Sequence, residues 1–210
     1  MGIKKTCTRR ALLLVLALLA IRPLSVAGSY GDASETVPVN RLTAGLQTVI
    51  YTRPGVTGGA SLGIGLAEWM SMHLEAGYGT TDIATNSFTG RLLFKLFITK
   101  YFGGVDQLSL LLGGGYNGTP TVHAALLLST AQKYFDLYTG LDSVFPVGRK
   151  GQNPVMQFLL GVKVKNFLEL GRFRPAGIFE IGVPLTNDTS FTFALSAQMF
   201  MDFKILKGRP

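Results

Sequence analysis

Two histidines, His73 and His123, are the side chains best suited to acid–base work in this chain of 210 residues. His73 lies in the run Ser71-Met72-His73-Leu74-Glu75, and His123 is followed by Ser129 on the same alternation. A nucleophilic triad needs a hydroxyl or thiol, a base and an orienting acid that converge in space. Residues two apart on a strand point the same way, so Ser71, His73 and Glu75 share a face without thereby forming a triad. The plainer reading of both histidines is a place in a polar network. Two isolated histidines with no nearby cysteine do not make the usual ligand set of a metal site. The glycine clusters Gly63-Ile64-Gly65 and Gly113-Gly114-Gly115 lack the Lys-Ser/Thr that follows a phosphate loop, so they fit close packing or bending within strands. Asn117-Gly118-Thr119 and Asn187-Asp188-Thr189 match a glycosylation acceptor but read as turn residues. No catalytic, cofactor or metal residue is assigned, and no cofactor is expected.

The N-terminus carries a targeting pattern. Lys4, Lys5, Arg9 and Arg10 precede an apolar run over 11–21, and Ser25-Val26-Ala27 places small residues before Gly28. That pattern reads as a signal peptide over 1–27. A spanning helix needs about 20 apolar residues, and Arg22-Pro23 stops this run early. The single cysteine, Cys7, precedes the run and would leave with it, so disulfides and thiolate chemistry are not expected in the exported chain. The net charge of +8 is mostly the leader's; beyond residue 27 there are 15 basic against 12 acidic residues, scattered along the chain. With no basic patch, nucleic acid is not an expected partner.

The elements that must position these residues are strands. The chain holds 26 Gly and 14 Phe, with 15% charged residues. Glycine at that level weakens helices by about 1 kcal/mol at each interior position, whereas Gly and Phe together suit turns and strands. After a polar lead-in over 28–40, apolar and polar residues alternate in ten segments. They fall near 41–53, 60–68, 71–81, 87–99, 107–117, 121–132, 135–145, 155–166, 172–185 and 190–204. The last is the clearest: Phe191, Phe193, Leu195, Ala197, Met199, Met201 and Phe203 share one face, opposite Thr192, Ser196, Gln198 and Asp202. Pro175 interrupts the ninth segment, and proline belongs at an end, edge or bulge; without that strand the count falls to eight.

Aromatic residues cluster at the segment ends. Trp69, Tyr101-Phe102, Tyr134-Phe135 and Phe167 follow even segments; Tyr51, Tyr78 with Phe88, Tyr116 and Phe145 flank the connections after odd ones. In an up-and-down barrel these make two belts, one at each lipid–water interface. Tight turns such as 68–71 against longer loops such as 81–87 and 146–154 suggest which end is periplasmic.

From about 41 to 204 the chain resembles the small outer-membrane β-barrels of OmpA/OmpX type. The resemblance implies an all-β, closed antiparallel up-and-down transmembrane barrel over 41–205, a tail over 206–210, export to the outer membrane of a Gram-negative cell, and outer-membrane lipid and the assembly machinery as partners. Such barrels usually end on an aromatic residue; here Phe203 is followed by seven more residues. Ionisable residues fall opposite the apolar stripes; a soluble ligand-carrying barrel would turn those stripes inward and coat its outside with charge, and the charges here are too few for that, so they are expected inside a narrow lumen. Glu75, Asp136, Glu180 and Asp202 are expected to pair with Arg91, Lys95, Lys163 and Arg174 across the lumen, because an unpaired buried ion costs several kcal/mol. Leu93, Phe97, Leu111, Leu127 and Phe200 share that face and oppose an open water channel. The expected role is a non-enzymatic, envelope-structural or surface-contact barrel with a filled lumen. A narrow solute channel is the first alternative. An outer-leaflet lipid-modifying hydrolase, of the lipid A deacylase kind, is the second.

Overall fold

A computed structural model describes residues 37, 39, 41–53, 55–81, 85–99, 107–148, 153–165, 173–187 and 189–202. The segments expected to be a signal peptide and a tail, and most of the expected lead-in, lie outside the described residues. Ten antiparallel strands close on themselves: β1 (Arg41–Tyr51), β2 (Gly55–Ala67), β3 (Met70–Gly79), β4 (Ser87–Thr99), β5 (Gln107–Asn117), β6 (Pro120–Ala131), β7 (Phe135–Pro146), β8 (Val155–Lys165), β9 (Phe173–Pro184) and β10 (Thr192–Asp202). Each strand pairs with its sequence neighbours, and β1 pairs with β10 from Arg41↔Asp202 to Tyr51↔Thr192. Closure removes every sheet edge, so no backbone ladder is left open to solvent or lipid. No described residue is helical.

The alternation sets the two faces as expected. On β10, Phe193, Leu195 and Met199 are exposed, while Thr192 and Ala194 are buried. On β4, Phe88, Leu92, Phe94 and Ile98 point out, while Thr89, Leu93 and Lys95 are buried. This is an inside-out distribution: Leu195 is 61% and Phe88 58% exposed, whereas Lys95 is 1% and Asp136 0%. Water would penalise such a belt at roughly 25 cal/mol per Å² of apolar surface, and hydrocarbon would not. The outer face is therefore built for lipid.

All ten expected segments are strands, and β2 is the one whose start differs, at Gly55 rather than near 60. Its first residues, Gly55-Val56-Thr57-Gly58-Gly59, offer few side chains to alternate, and their pairing to β1 defines them as strand. Pro175 does not break β9, because the β8 ladder ends at Lys165↔Ala176 and Pro175 lies just past it. Pro120, Pro146 and Pro184 likewise sit at strand ends, where the missing N–H removes nothing from a ladder. The Asn117-Gly118-Thr119 turn joins β5 to β6, with Gly118 at a φ of 67° that a side chain would strain.

Of the expected belts, Tyr78, Phe88, Tyr116 and Phe145 are exposed at the end away from the chain termini, and Trp69, Tyr134 and Phe135 at the terminal end. Tyr101, Phe102 and Phe167 lie outside the described residues. Tyr51 is a correction: its parity on β1 is that of the buried Gln47 and Val49, so it faces the lumen. Loop length does not separate the two ends. The far end carries the short links 52–54 and 118–119, and the terminal end has 100–106 and 166–172 as well as 68–69.

Candidate functional site: a lumen in three layers

The inward residues form three layers along the barrel axis. The middle layer is apolar: Leu93, Leu111, Ala125, Leu127, Tyr138, Leu159 and Ile178 form one buried cluster. Leu93 and Leu127 are 1% exposed and Leu159 is not exposed at all. These side chains come from β4 through β9 and meet across the lumen. At the same level on β3 the buried His73 is the register partner of Leu93.

On its terminal side lie Lys95, Asp136 and Lys163, all buried. Asp136 Oδ1 is 2.6 Å from Lys165 Nζ, although its register partner on β8 is Lys163. The Lys163 ammonium stands 4.5 Å from the centre of the Phe200 ring, over its face. Arg174 is exposed near the terminal end of β9. Asp202 pairs with Arg41 through the β10 ladder, and its side chain lies outside the described ones.

On the far side stand Glu75, Arg91, His123, Asp142 and Glu180, which with Gln157 line a cavity of about 80 Å³. Glu75 and Arg91 are register partners on β3 and β4 and form a 2.7 Å ion pair beside each other rather than across the barrel. Gln47 Nε2 donates to the same carboxylate at 3.2 Å. Gln157 Nε2 donates to Asp142 at 3.1 Å, and Thr192 donates to Gln157 Oε1 at 3.2 Å.

Glycines make these approaches possible. Tyr138 is paired with Gly161, and Gly161 with Glu180. The tyrosine ring lies flat across Gly161 on β8 so that its hydroxyl donates to Glu180 on β9 at 2.7 Å. A Cβ at 161 would fall on that ring. Gly182 plays the same part beneath Thr192 and Gln157.

Both histidines face inward. Ser71 Oγ and His73 Nε2 are 2.9 Å apart, so the adjacent pair in sequence does meet, through a contact that shared parity alone does not settle. Ser71 is fully buried, which removes it from any substrate in the membrane. His123 Nε2 is 2.8 Å from Thr121 Oγ1. Among the described residues no three His, Cys, Asp or Glu side chains are grouped closely enough to hold a metal ion. Sequence reasoning missed Tyr138, Asp142, Gln157 and Lys165 as members of the network. The signal for them was parity, which also marks many residues that merely pack.

No family model matches the chain, and no curated protein matches it. Among solved structures it is similar to the N-terminal β-barrel domain of Pseudomonas aeruginosa OprF. That likeness has 12% identity and a TM-score of 0.35, over 78% of this chain and 98% of the other. The register closes the ring without any outside comparison. This is a closed, ten-stranded, antiparallel up-and-down barrel.

Proposed function

We propose that the chain is a lipid-embedded barrel of the Gram-negative outer membrane that acts as an envelope-structural or surface-contact protein, its lumen closed to through-flow. The observation that carries this reading is the buried apolar cluster of Leu93, Leu111, Leu127, Tyr138, Leu159 and Ile178 inside the barrel. An ion that passes against such a cluster sheds part of its water, at a cost of up to several kcal/mol. Aqueous porins reach open lumens with about 16–18 strands, and this barrel has ten. A hydrolase role has less support, since Ser71 is buried with His73 and the hydroxyl beside His123 is that of Thr121. The signal-peptide pattern and the exposed apolar belt support export and membrane insertion.

Fractionation of tagged cells, followed by gels with and without boiling, tests the placement. Recovery with the outer membrane and a heat-dependent mobility shift are expected. Recovery as a soluble periplasmic protein would overturn it. Planar-bilayer recordings test closure: stable unitary conductance from the wild-type chain would overturn the structural reading in favour of a narrow channel.

A further inference from the structure

We infer that the chain just ahead of β1 is an internal strap: it folds back at Val39 and seats Val37 inside the terminal mouth of the barrel. Two observations on described residues carry this. Val39 forms a parallel bridge with Gly65 of β2. Val37 is 1% exposed, among the most deeply buried side chains of the molecule.

The bridge sets the direction of the chain. β2 runs from the far end to the terminal end, where residues 68–69 link it to β3. A segment parallel to it at Val39 also runs toward the terminal end, so what precedes Val39 lies farther into the barrel. β1 then starts at Arg41 and runs the opposite way, antiparallel to β2, so the chain reverses between 39 and 41. The β1–β2 ladder ends at Leu42↔Ile64, which leaves Gly65, the next position on β2, to Val39. Two residues of extended chain span about 7 Å, enough to carry Val37 from the rim to the inside.

Exposure distinguishes the two sides of the wall. Leu62, Ile64 and Leu66 on the outer face of β2 are all exposed, and a valine laid against that face would be open as well. Instead exposure falls from 42% at Val39 to 1% at Val37, as it does for a chain that passes from the rim inward. The inner face suits such a chain. The inward positions of β2 toward its terminal end are Ser61, Gly63, Gly65 and Ala67, none with a side chain larger than that of serine. Thr43 and His73 already crowd Gly63, so contact with the wall falls at Gly65. Once inside, the valine is held by the apolar surface it withdraws from water. A solute or partner that reached for the lumen from the terminal end would meet this strap, an autoinhibitory contact made by the chain itself. The strap depends only on the closed ring, whatever surrounds the wall, so it stands or falls separately from the membrane placement.

The test is thiol labelling of the full chain, folded in detergent, in a Cys7→Ser background that leaves no other thiol. Single cysteines replace Val37 or Val39 and react with a bulky hydrophilic maleimide before and after heating. In the folded barrel Val37→Cys should react about tenfold or more slowly than Val39→Cys, and after heating the two should react alike. Oxidation of paired cysteines then assigns the side of the wall. Val37→Cys should form a disulfide with the inward Ser61→Cys or Ser71→Cys, and with neither outward Leu62→Cys nor Ile64→Cys. Heat-dependent mobility on gels would show that each variant is folded. The inference is overturned if folded Val37→Cys reacts as fast as Val39→Cys, or if oxidation joins it to an outward cysteine or to neither inward one. Should Val37→Cys fail to fold, hydroxyl-radical footprinting of the wild-type chain reads both valines without substitution. Protection of Val37 against Val39 is then expected, and equal modification of the two would overturn the strap.

Discussion

Gly161 determines where Tyr138 can lie, and Tyr138 determines how Glu180 is held. The ring crosses one whole strand to reach a carboxylate on the next. Gly161→Ala should therefore cost about 1–3 kcal/mol through overpacking, and more if the Tyr138–Glu180 bond is lost with it. Urea unfolding from lipid or detergent would measure the loss. The same substitution in a Tyr138→Ala background should cost much less, because the obstructing ring is gone. Equal costs in the two backgrounds would mean that the glycine matters for some other reason. At the Glu75–Arg91 pair the side chains are 8% and 9% exposed. Removing one partner breaks this buried pair, so Glu75→Leu alone should cost about 3–5 kcal/mol, and the double change Glu75→Leu with Arg91→Met less than that. A double change that proved worse than the single one would remove the ion-pair explanation.

At the scale of the strand, the period-two pattern made most of the barrel legible. Side-chain parity is a local property, and lipid outside with polar groups inside keeps it strict over 10 to 13 residues per strand. It failed where side chains are scarce, at Gly55–Gly59, since glycines carry no parity. The candidate site was legible only as a face. Which inward residues meet depends on register and on the room each neighbour leaves. Lys165 lies 2.6 Å from Asp136, a contact that parity did not single out, and the 2.9 Å contact of Ser71 with His73 needs a rotamer that sequence does not state. The outward face makes its own prediction. Leu195 lies mid-strand on β10 and is 61% exposed. Leu195→Arg should destabilise the barrel in bilayers by about 2–4 kcal/mol, the cost of a cation near the hydrocarbon midplane. The same change on a water-facing strand would be nearly silent. Unfolding titrations in liposomes separate the two, and a difference under about 0.5 kcal/mol, the usual span of surface substitutions, would count against a lipid-facing belt.

Across the whole molecule the lumen is polarised along its axis. The described charges on the terminal side of the apolar layer are mostly lysines, Lys95, Lys163 and Lys165 with Asp136; those on the far side are mostly acids, Glu75, Asp142 and Glu180 with Arg91. Along β7 alone, Asp136 and Asp142 flank Tyr138 from opposite sides, so the layer can be placed residue by residue. If that layer is what prevents ion flow, thinning it should open a path while the ring of strands stays shut. Leu127→Ala with Leu159→Ala removes two of its least exposed side chains. Such truncations cost about 2–5 kcal/mol each, so the double variant must first be shown to run as a folded barrel on unheated gels. In planar bilayers it should then show conductance steps that the wild-type chain lacks. A folded double variant as silent as the wild type would place the barrier elsewhere, in the ion-paired layer around Lys95 and Asp136, and Asp136→Ala would then be the variant to record. The two outcomes differ in what they assign to the charges: in the first they flank a seal made of hydrocarbon, and in the second they are the seal.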